Sequence, residues 1–348
     1  MFLFEVNSYP VFGSDLEKIA WYNRNNIGGN TLTISNRQPA FIYTFAYNDA
    51  ERSLCHLEMR SFFGIDTELK IIKSNIKIDP SRSPFMKGRV EVLAEGDTVE
   101  EIITQASAFG SEEETNKVIF LKINDRQGKD KIENNERLQI ERAIGSEMQG
   151  DFDLHNPDQL YAVVPYGGRW YFGLYTKSEP IWFTHIKKPR EYSTALSTRV
   201  ARAVANIAVP HPEGVRAIDP CCGIGTVLVE ALSMGINIVG RDINPLVCVG
   251  SRENIAYFGL TGDVRMSAIE EITETYDVAI IDLPYNLYTH VSWEAQFAIL
   301  KHARRIAKKV VIVTIESMDE RLETVGFHIK DRCITKKQQF TREIVVCE

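Results

Sequence analysis

The rhythm of apolar and polar positions changes near residue 180. Before that point, apolar residues alternate with polar ones as in strands over 39–47, 70–96 and 117–123, with helical spacing in between. Beyond it, short apolar runs are separated by segments in which apolar residues return every three or four positions. The pattern predicts an α+β region over 1–180 and a region of alternating strands and helices over 181–348.

The first region also carries local signals for helix ends and for a hairpin. Gly64 follows a helical segment where a helix would stop, and Thr98 with Glu101 forms the pattern of a capping box. Gly167 and Gly168 separate two alternating runs, which predicts a tight hairpin turn. The helices predicted in this region cover 49–63, 98–109 and 136–148.

The second region predicts a doubly wound parallel sheet of Rossmann-like topology, because strands alternate with helices at regular spacing. A closing β-hairpin is expected to turn the last strand antiparallel. Ser193 is a candidate cap for a long helix that runs to Ala208. The other predicted helices cover 226–234, 245–258 and 292–307. The predicted strands cover 215–219, 236–242, 277–282, 309–315, 326–334 and 340–347.

Composition narrows the class of protein. The chain has 348 residues, of which 44% are hydrophobic and 25% charged, as in soluble globular proteins of two or three domains. No apolar run approaches the ~18 residues of a membrane span, and the first residues lack the features of a signal peptide. Six cysteines without a CxxC pair favour a reducing cytoplasm and disfavour a classical zinc site.

Charge is distributed unevenly along the chain. The net charge is −7 and lies entirely in residues 1–180, which hold 27 acidic and 20 basic residues, whereas 181–348 are balanced. A nucleic-acid-binding protein usually shows a basic footprint. Any site for a polyanion must therefore be a local patch.

The strongest candidate for chemistry follows the strand predicted at 215–219. There the sequence reads Asp219-Pro220-Cys221-Cys222-Gly223-Ile224-Gly225-Thr226. Glycines let the backbone approach a ligand closely, and nucleotides bind at this position in parallel sheets. A dinucleotide fingerprint needs a third glycine, but position 228 is Leu, and the acidic Asp219 would repel a pyrophosphate. S-adenosyl-L-methionine, which has no phosphate and carries an amino group, fits better.

Two further carboxylates occupy related positions. Asp242 ends the next predicted strand 23 residues after Asp219, which is the spacing of a carboxylate that receives ribose hydroxyls. Asp263 lies at the third strand, where a short polar group can bind an adenine amino group. Local alternatives stay open: Asp242 as a helix cap before Pro245, and Asp263 as a turn residue.

The fourth strand of this region ends in Asp282-Leu283-Pro284-Tyr285, which resembles the (Asn/Asp)-Pro-Pro-Tyr motif of methyltransferases that modify exocyclic or amide nitrogens. Together with DPCCGIGT and GRDINP, this motif makes the chain similar to the class I methyltransferases with a THUMP domain that form N2-methylguanosine in tRNA. Leu283 stands where that family has a proline, but the chemistry needs only its carbonyl. The front-half segments that resemble the family are 46–64, 82–93, 136–148 and 153–175.

The resemblance implies roles for individual residues. The Asp282 carboxylate and the Leu283 carbonyl would accept the two N–H groups of the target amine. Pro284 would fix the backbone, and Tyr285 would stack on the base. The residues expected at the cofactor are Leu196, Asp219, Pro220, Cys222, Gly223, Gly225, Thr226, Asp242, Ile243, Asp263 and Val264.

The implied substrate is a structured RNA, with N2 of a tRNA guanine favoured, and some relatives need a small activating protein subunit. The alternatives are an adenine or cytosine amino-methyltransferase of DNA, a glutamine methyltransferase of proteins, and a cofactor-binding RNA scaffold without catalysis. No membrane association is expected. The sequence leaves the oligomeric state and the modified position open.

Other reactive residues have plain explanations as well as functional ones. Cys221 and Cys222 suggest a nucleophile for carbon methylation, but cysteines in a cofactor loop are usually small apolar fillers. His185 and His290 have no visible partner in the sequence. A basic cluster near the boundary could contact phosphate or simply be solvated: Lys187, Lys188, Arg190, Arg199 and Arg202.

Overall fold

A computed structural model describes residues 38–126, 128–192, 195–283, 292–337 and 340–348. The elements before residue 180 are strands β1 (Phe41–Phe45), β2 (Ile71–Ser74), β3 (Met86–Gly96), β4 (Asn116–Phe120), β5 (Gln159–Tyr166) and β6 (Arg169–Lys177), and helices α1 (Arg52–Phe63), α2 (Val99–Ala106) and α3 (Asn134–Glu147). Residues 39–348 form one compact unit.

The strands before residue 180 form one six-stranded sheet in the order β2-β1-β3-β6-β5-β4. The long strand β3 joins its two halves, because β3 pairs with β1 on one side and with β6 on the other. Helices α2 and α3 share an apolar cluster with β5 and β6. Gly167 and Gly168 both have positive φ angles, 60° and 76°, which confirms the predicted two-residue hairpin.

The second part of the chain contains a seven-stranded sheet. Its helices are α4 (Ile181–Thr184), α5 (Thr198–Ala208), α6 (Thr226–Ser233), α7 (Pro245–Tyr257), α8 (Trp293–Ile306) and α9 (Asp319–Thr324). Its strands are β7 (Arg216–Asp219), β8 (Asn237–Asp242), β9 (Asp263–Met266), β10 (Tyr276–Asp282), β11 (Ala307–Thr314), β12 (Ile329–Lys337) and β13 (Phe340–Cys347).

The order of these strands is β12-β13-β11-β10-β7-β8-β9. Strands β7 to β11 are parallel, and β13 inserts antiparallel between β11 and β12. This is the predicted doubly wound sheet with a closing hairpin, so the expected class I methyltransferase fold is confirmed. The strand order reverses between β7 and β10, and such a reversal opens a ligand crevice at the carboxyl ends of the strands.

Helix α5 begins later than predicted. Its N-cap is Ser197, whose hydroxyl oxygen accepts a hydrogen bond from the Val200 N–H, and not Ser193, which lies outside the described residues. Before the helix begins, the Ala195 N–H donates to the Tyr192 carbonyl. The short helices α4 and α9 were not predicted.

Helix α1 connects the two parts of the core. Leu54, Leu57 and Phe62 belong to the same buried cluster as Val204 and Ile207 of α5. The predicted division near residue 180 stays a prediction, but apolar packing crosses it. None of the helices in the described ranges has the length and hydropathy of a membrane span.

Candidate active site

The carboxyl ends of three neighbouring strands bring three of the four predicted acidic residues to one edge of the sheet. Asp263 instead pairs with Val239 and lies three residues before that edge, so its predicted place beside the other three is wrong. Asp219 ends β7, Asp242 ends β8, and Asp282 ends β10, while Asp263 opens β9. Strands β10, β7, β8 and β9 are adjacent and parallel, so these ends line the crevice where the strand order reverses.

The loop after β7 is tightly fixed to its neighbours. The Cys222 N–H donates to the Arg241 carbonyl, and the Gly225 N–H donates to the Cys222 carbonyl, both at 2.9 Å. Gly225 has a φ of 75°, and a Cβ there would lie 2.2 Å from the Ser251 hydroxyl oxygen of α7. The second glycine of the motif is therefore required for packing.

Gly223 serves a different purpose in the same loop. Its φ is 51°, and a Cβ placed on it would meet no atom within 4 Å. Its N–H donates to Asp242 Oδ2 at 2.9 Å, while Asp242 Oδ1 accepts the Asn244 N–H. Asp242 thus orients the loop, and the side-chain cap of α7 is Asn244 instead. The open side of Gly223 leaves room for a ligand to approach the backbone.

Asp219 is buried and Asp282 is partly buried, and both carboxyl groups have raised pKa values. Burial raises the pKa of Asp219 well above its usual range, and the negative charges of Asp282 and Asp242 raise it further. Burial also raises the pKa of Asp282 to about 7, which the charge of Arg342 partly opposes. Among the described residues, Asp282 Oδ1 has no hydrogen-bond partner. Asp282 Oδ1 lies at the end of β10 beside the crevice, so a donor group of a ligand bound there could reach it.

The other residues expected at the site occupy different environments. The Leu283 N–H donates to the Val313 carbonyl at 2.9 Å, which holds the end of β10 in place. Pro284 and Tyr285 lie outside the described residues. Pro220, Cys222, Thr226, Val264 and Leu196 are buried, whereas Ile243 is 74% exposed.

Asp263 is already engaged within the protein. Its Oδ2 lies 3.2 Å from an Arg241 guanidinium nitrogen, and its Oδ1 lies 2.8 Å from Arg265 Nε. A role for this carboxylate in binding adenine stays a prediction, and such a role has to coexist with two ion pairs.

The donor set fits S-adenosylmethionine. Asp219, Asp242 and Asp282 place several carboxylates near one another, and the interaction between them raises the pKa of Asp219. Such a set attracts a ligand with positive charge and N–H or O–H donors. S-adenosylmethionine carries a sulfonium, an ammonium and ribose hydroxyls. No group of His, Cys, Asp and Glu in the described ranges is arranged as a metal site.

The two cysteines of the loop are poor nucleophiles. Burial and the nearby carboxylates raise the pKa of both the Cys221 and the Cys222 thiol far above the usual range. A thiol that stays protonated does not attack carbon at neutral pH. The role of small apolar filler therefore suits Cys222, which is 7% exposed.

The sequence did not reveal a buried ionic network behind the site. Arg202, grouped with surface cations in the sequence, is only 1% exposed. Its guanidinium donates to Glu230 Oε2 at 2.8 Å and to the carbonyls of Ser81 and Arg82. His185, given no role from the sequence, places Nδ1 2.7 Å from Glu230 Oε1. Only contacts distant in sequence bury these groups, so no local pattern could have found them.

Part of the chain is similar to known methyltransferases. Residues 186–317 match the family described as UPF0020: RMKL-like, methyltransferase domain. A tRNA (guanine(10)-N2)-dimethyltransferase of Methanothermobacter thermautotrophicus is 31% identical over 168 residues, which are 44% of this chain and 49% of that protein. The human U6 snRNA (guanine-N(2))-methyltransferase THUMPD2 is 29% identical over 42% of this chain and 30% of that protein.

Among solved structures, TrmN from Thermus thermophilus covers 89% of this chain and 99% of its own, with 17% identity and a TM-score of 0.45. The chain spans half or less of the length of the curated relatives it matches. The predicted resemblance to guanine-N2 methyltransferases is confirmed, and residues 186–317 carry a methyltransferase domain.

Proposed function

We propose that this protein transfers a methyl group from S-adenosylmethionine to the N2 amino group of a guanine in RNA, with tRNA as the favoured substrate. The observation that carries the proposal is Asp282 Oδ1, a buried acceptor without a partner among the described residues, at the end of β10. The names of the curated relatives, which act on tRNA or U6 snRNA guanine N2, support the choice of RNA and of nitrogen.

The two acceptors at the end of β10 suit a weakly nucleophilic amine. The lone pair of an exocyclic base nitrogen is delocalised into the ring. Asp282 would accept one N–H and the Leu283 carbonyl the other, which directs the lone pair away from the ring and toward the donor. Tyr285, outside the described residues, would stack on the base.

S-adenosylmethionine supplies an electrophilic methyl group on its sulfonium. When the nitrogen gains the methyl group it must lose a proton, and Asp282 would take that proton. The raised pKa of Asp282, about 7, suits this role, because general bases work best when their pKa is close to the working pH. Asp219, Asp242 and the open side of Gly223 would hold the amino group and the ribose.

A transfer assay tests the proposal. Purified protein with methyl-labelled S-adenosylmethionine is offered bulk tRNA, U6 snRNA, DNA and protein extract, and the labelled products are digested and identified by mass. We expect N2-methylguanosine in RNA. Label in DNA or in a protein glutamine would replace RNA as the substrate. Cofactor binding without any transfer would point first to a missing partner or substrate, and second to a non-catalytic scaffold.

Two further proposals concern the setting of the reaction. We place the protein in the cytoplasm, which its six free cysteines favour.

We also propose a small protein subunit as an activator. Repeating the transfer assay with and without extract from the native source tests this second proposal. Equal turnover in both would exclude an activator in the extract.

A further inference from the structure

The segment 181–192, called the connector below, is fastened at three points to helices α6 and α7 and to the end of the loop after β7. His185 is 5% exposed and binds Glu230 of α6. Lys188 Nζ donates to the Thr226 hydroxyl at 3.2 Å. The buried Asn254 side chain accepts the Arg190 N–H and donates to the carbonyls of both Arg190 and Ile224. The connector is therefore held at a fixed position beside the site.

Despite this anchoring, the connector exposes large apolar side chains to solvent. Ile181, Phe183, Ile186 and Tyr192 are between 41% and 65% exposed. Four such residues within twelve form a concentration that marks an interaction site more often than isolated exposed residues do. Exposure of these apolar side chains to water is unfavourable, so a binding partner that covers them would explain why they are there.

The connector and the start of α5 line a cavity of about 290 Å³. Its wall includes the rings of Trp182 and Tyr192, and the cations Lys188 and Arg199. This volume is at the lower limit of the roughly 300–1,000 Å³ of small-molecule pockets. The size of the cavity therefore suits a single base rather than a duplex.

The charges at the cavity favour an anionic ligand. Arg199 stacks on the Trp182 ring, 5.4 Å from its centroid, and forms an ion pair with Glu51. Lys187 is exposed nearby. The lining also contains the negatively charged Glu191, so the excess of positive charge over negative charge at the cavity is small. Rings with a few cations are typical of sites for single-stranded nucleic acid, where stacking supplies the binding energy.

We propose that this cavity binds an unpaired nucleotide of the substrate RNA, one that neighbours the methylated base. The base stacks on Tyr192 and Trp182, and its phosphate lies toward Lys188. The contact between Lys188 and Thr226 places this nucleotide beside the cofactor loop. The inference rests on the proposed function, since it needs RNA as substrate.

Steady-state methylation of the RNA that accepts label tests the pocket with three variants. Tyr192→Ala removes the ring, Tyr192→Phe keeps it, and Tyr257→Ala removes an equally exposed tyrosine (64% against 61%) from α7 as a matched control. We expect Tyr192→Ala to raise the KM for RNA about ten-fold, within the range of base–aromatic stacking. The kcat and the Kd for S-adenosylmethionine should change less than about two-fold in all three.

The outcomes separate this inference from the proposed function. Equal KM values for Tyr192→Ala and Tyr257→Ala would overturn the pocket and leave the methyltransferase intact. A raised KM in Tyr192→Phe as well would overturn stacking as the mode of binding. Loss of a co-purifying protein from Tyr192→Ala, with an unchanged KM for RNA, would identify the face as a protein interface. If the unaltered protein methylates no RNA even when extract from a native-source strain lacking this gene is added, the proposed function fails, and the pocket with it.

Discussion

Two carboxylates near the site, Glu230 and Asp282, differ in how many of their oxygens have partners among the described residues. Glu230, 1% exposed, has one oxygen bound to Arg202 and the other to His185. Asp282 has an oxygen with no partner in the described part of the chain, and burial raises its pKa to about 7. Both carboxylates lie close to the loop after β7, but within the described ranges only Glu230 has partners for both of its oxygens.

This difference separates a structural role from a functional one. A buried charge needs partners, and a protein that supplies them gains a fixed arrangement of its chain. A buried carboxylate left without them costs stability, and such a cost is typical of sites that bind or react. The four predictions below test whether this division holds.

The largest effect on stability is expected when Glu230 loses its partner Arg202. Arg202→Ala leaves Glu230 buried beside only His185 and should lower the free energy of unfolding by about 3–5 kcal/mol. Urea denaturation followed by circular dichroism measures this. The matched control is Arg190→Ala, because its ion pair with Glu253 is exposed and should contribute little to the free energy of unfolding. A loss below about 1 kcal/mol for Arg202→Ala would contradict the structural role.

Replacing Asp282 should have the opposite effect on stability, and it should also lower the rate of methyl transfer. Asp282→Asn removes the general base and should lower kcat about 10²–10³-fold, while the Kd for S-adenosylmethionine changes little. The same variant should unfold at a higher temperature at pH 8, because it no longer buries a negative charge. If the variant loses methyl transfer and also unfolds at a lower temperature than the unaltered protein, Asp282 supports the fold instead.

Glu58 is an intermediate case, and its titration should be visible in stability. It is fully buried and hydrogen-bonded to Ser83 and Asn206, and burial raises its pKa to about 7. The folded chain then holds a proton that the unfolded chain releases near its usual pKa. The free energy of unfolding should therefore fall as pH rises from about 4.5 to 7, by up to about 3 kcal/mol from this group.

Glu58→Gln resembles the protonated acid: its carbonyl oxygen can accept the bond from Asn206 and its N–H can donate toward Ser83. Because it cannot ionise, it should flatten this decline. Melting temperatures measured between pH 5 and pH 8 for both proteins check the expectation. Parallel curves for the two proteins would mean that Glu58 does not titrate in this range.

The smallest effect is expected at the outer contact of α1. Arg60 binds both carboxylate oxygens of Asp331 on β12, at 2.8 and 2.9 Å, in a half-exposed position. Arg60→Ala should cost about 1 kcal/mol, and the loss should shrink in 1 M salt. A salt-independent loss would assign the effect to packing.

The sequence predicted the frame of the site well, because its signals are local. Alternation of strands and helices predicts the sheet, and glycines and acids at strand ends predict the position of Asp219, Asp242 and Asp282. The start of α5 was wrong because Ser193 and Ser197 are equally good caps by pattern. Nothing near Arg202 in the sequence indicates its burial, since its partners are 28 to 121 residues away.

Helix α1 also bears on how such a protein can change over generations. Its apolar side chains share one cluster with those of α5, so a substitution on either helix alters the surface that the other must match. We expect the two halves to have been inherited as a pair rather than exchanged freely among relatives. A chimera with a foreign front half would keep the reactive carboxylates but leave Val204 and Ile207 in water, unless the new half brought a helix of the same shape.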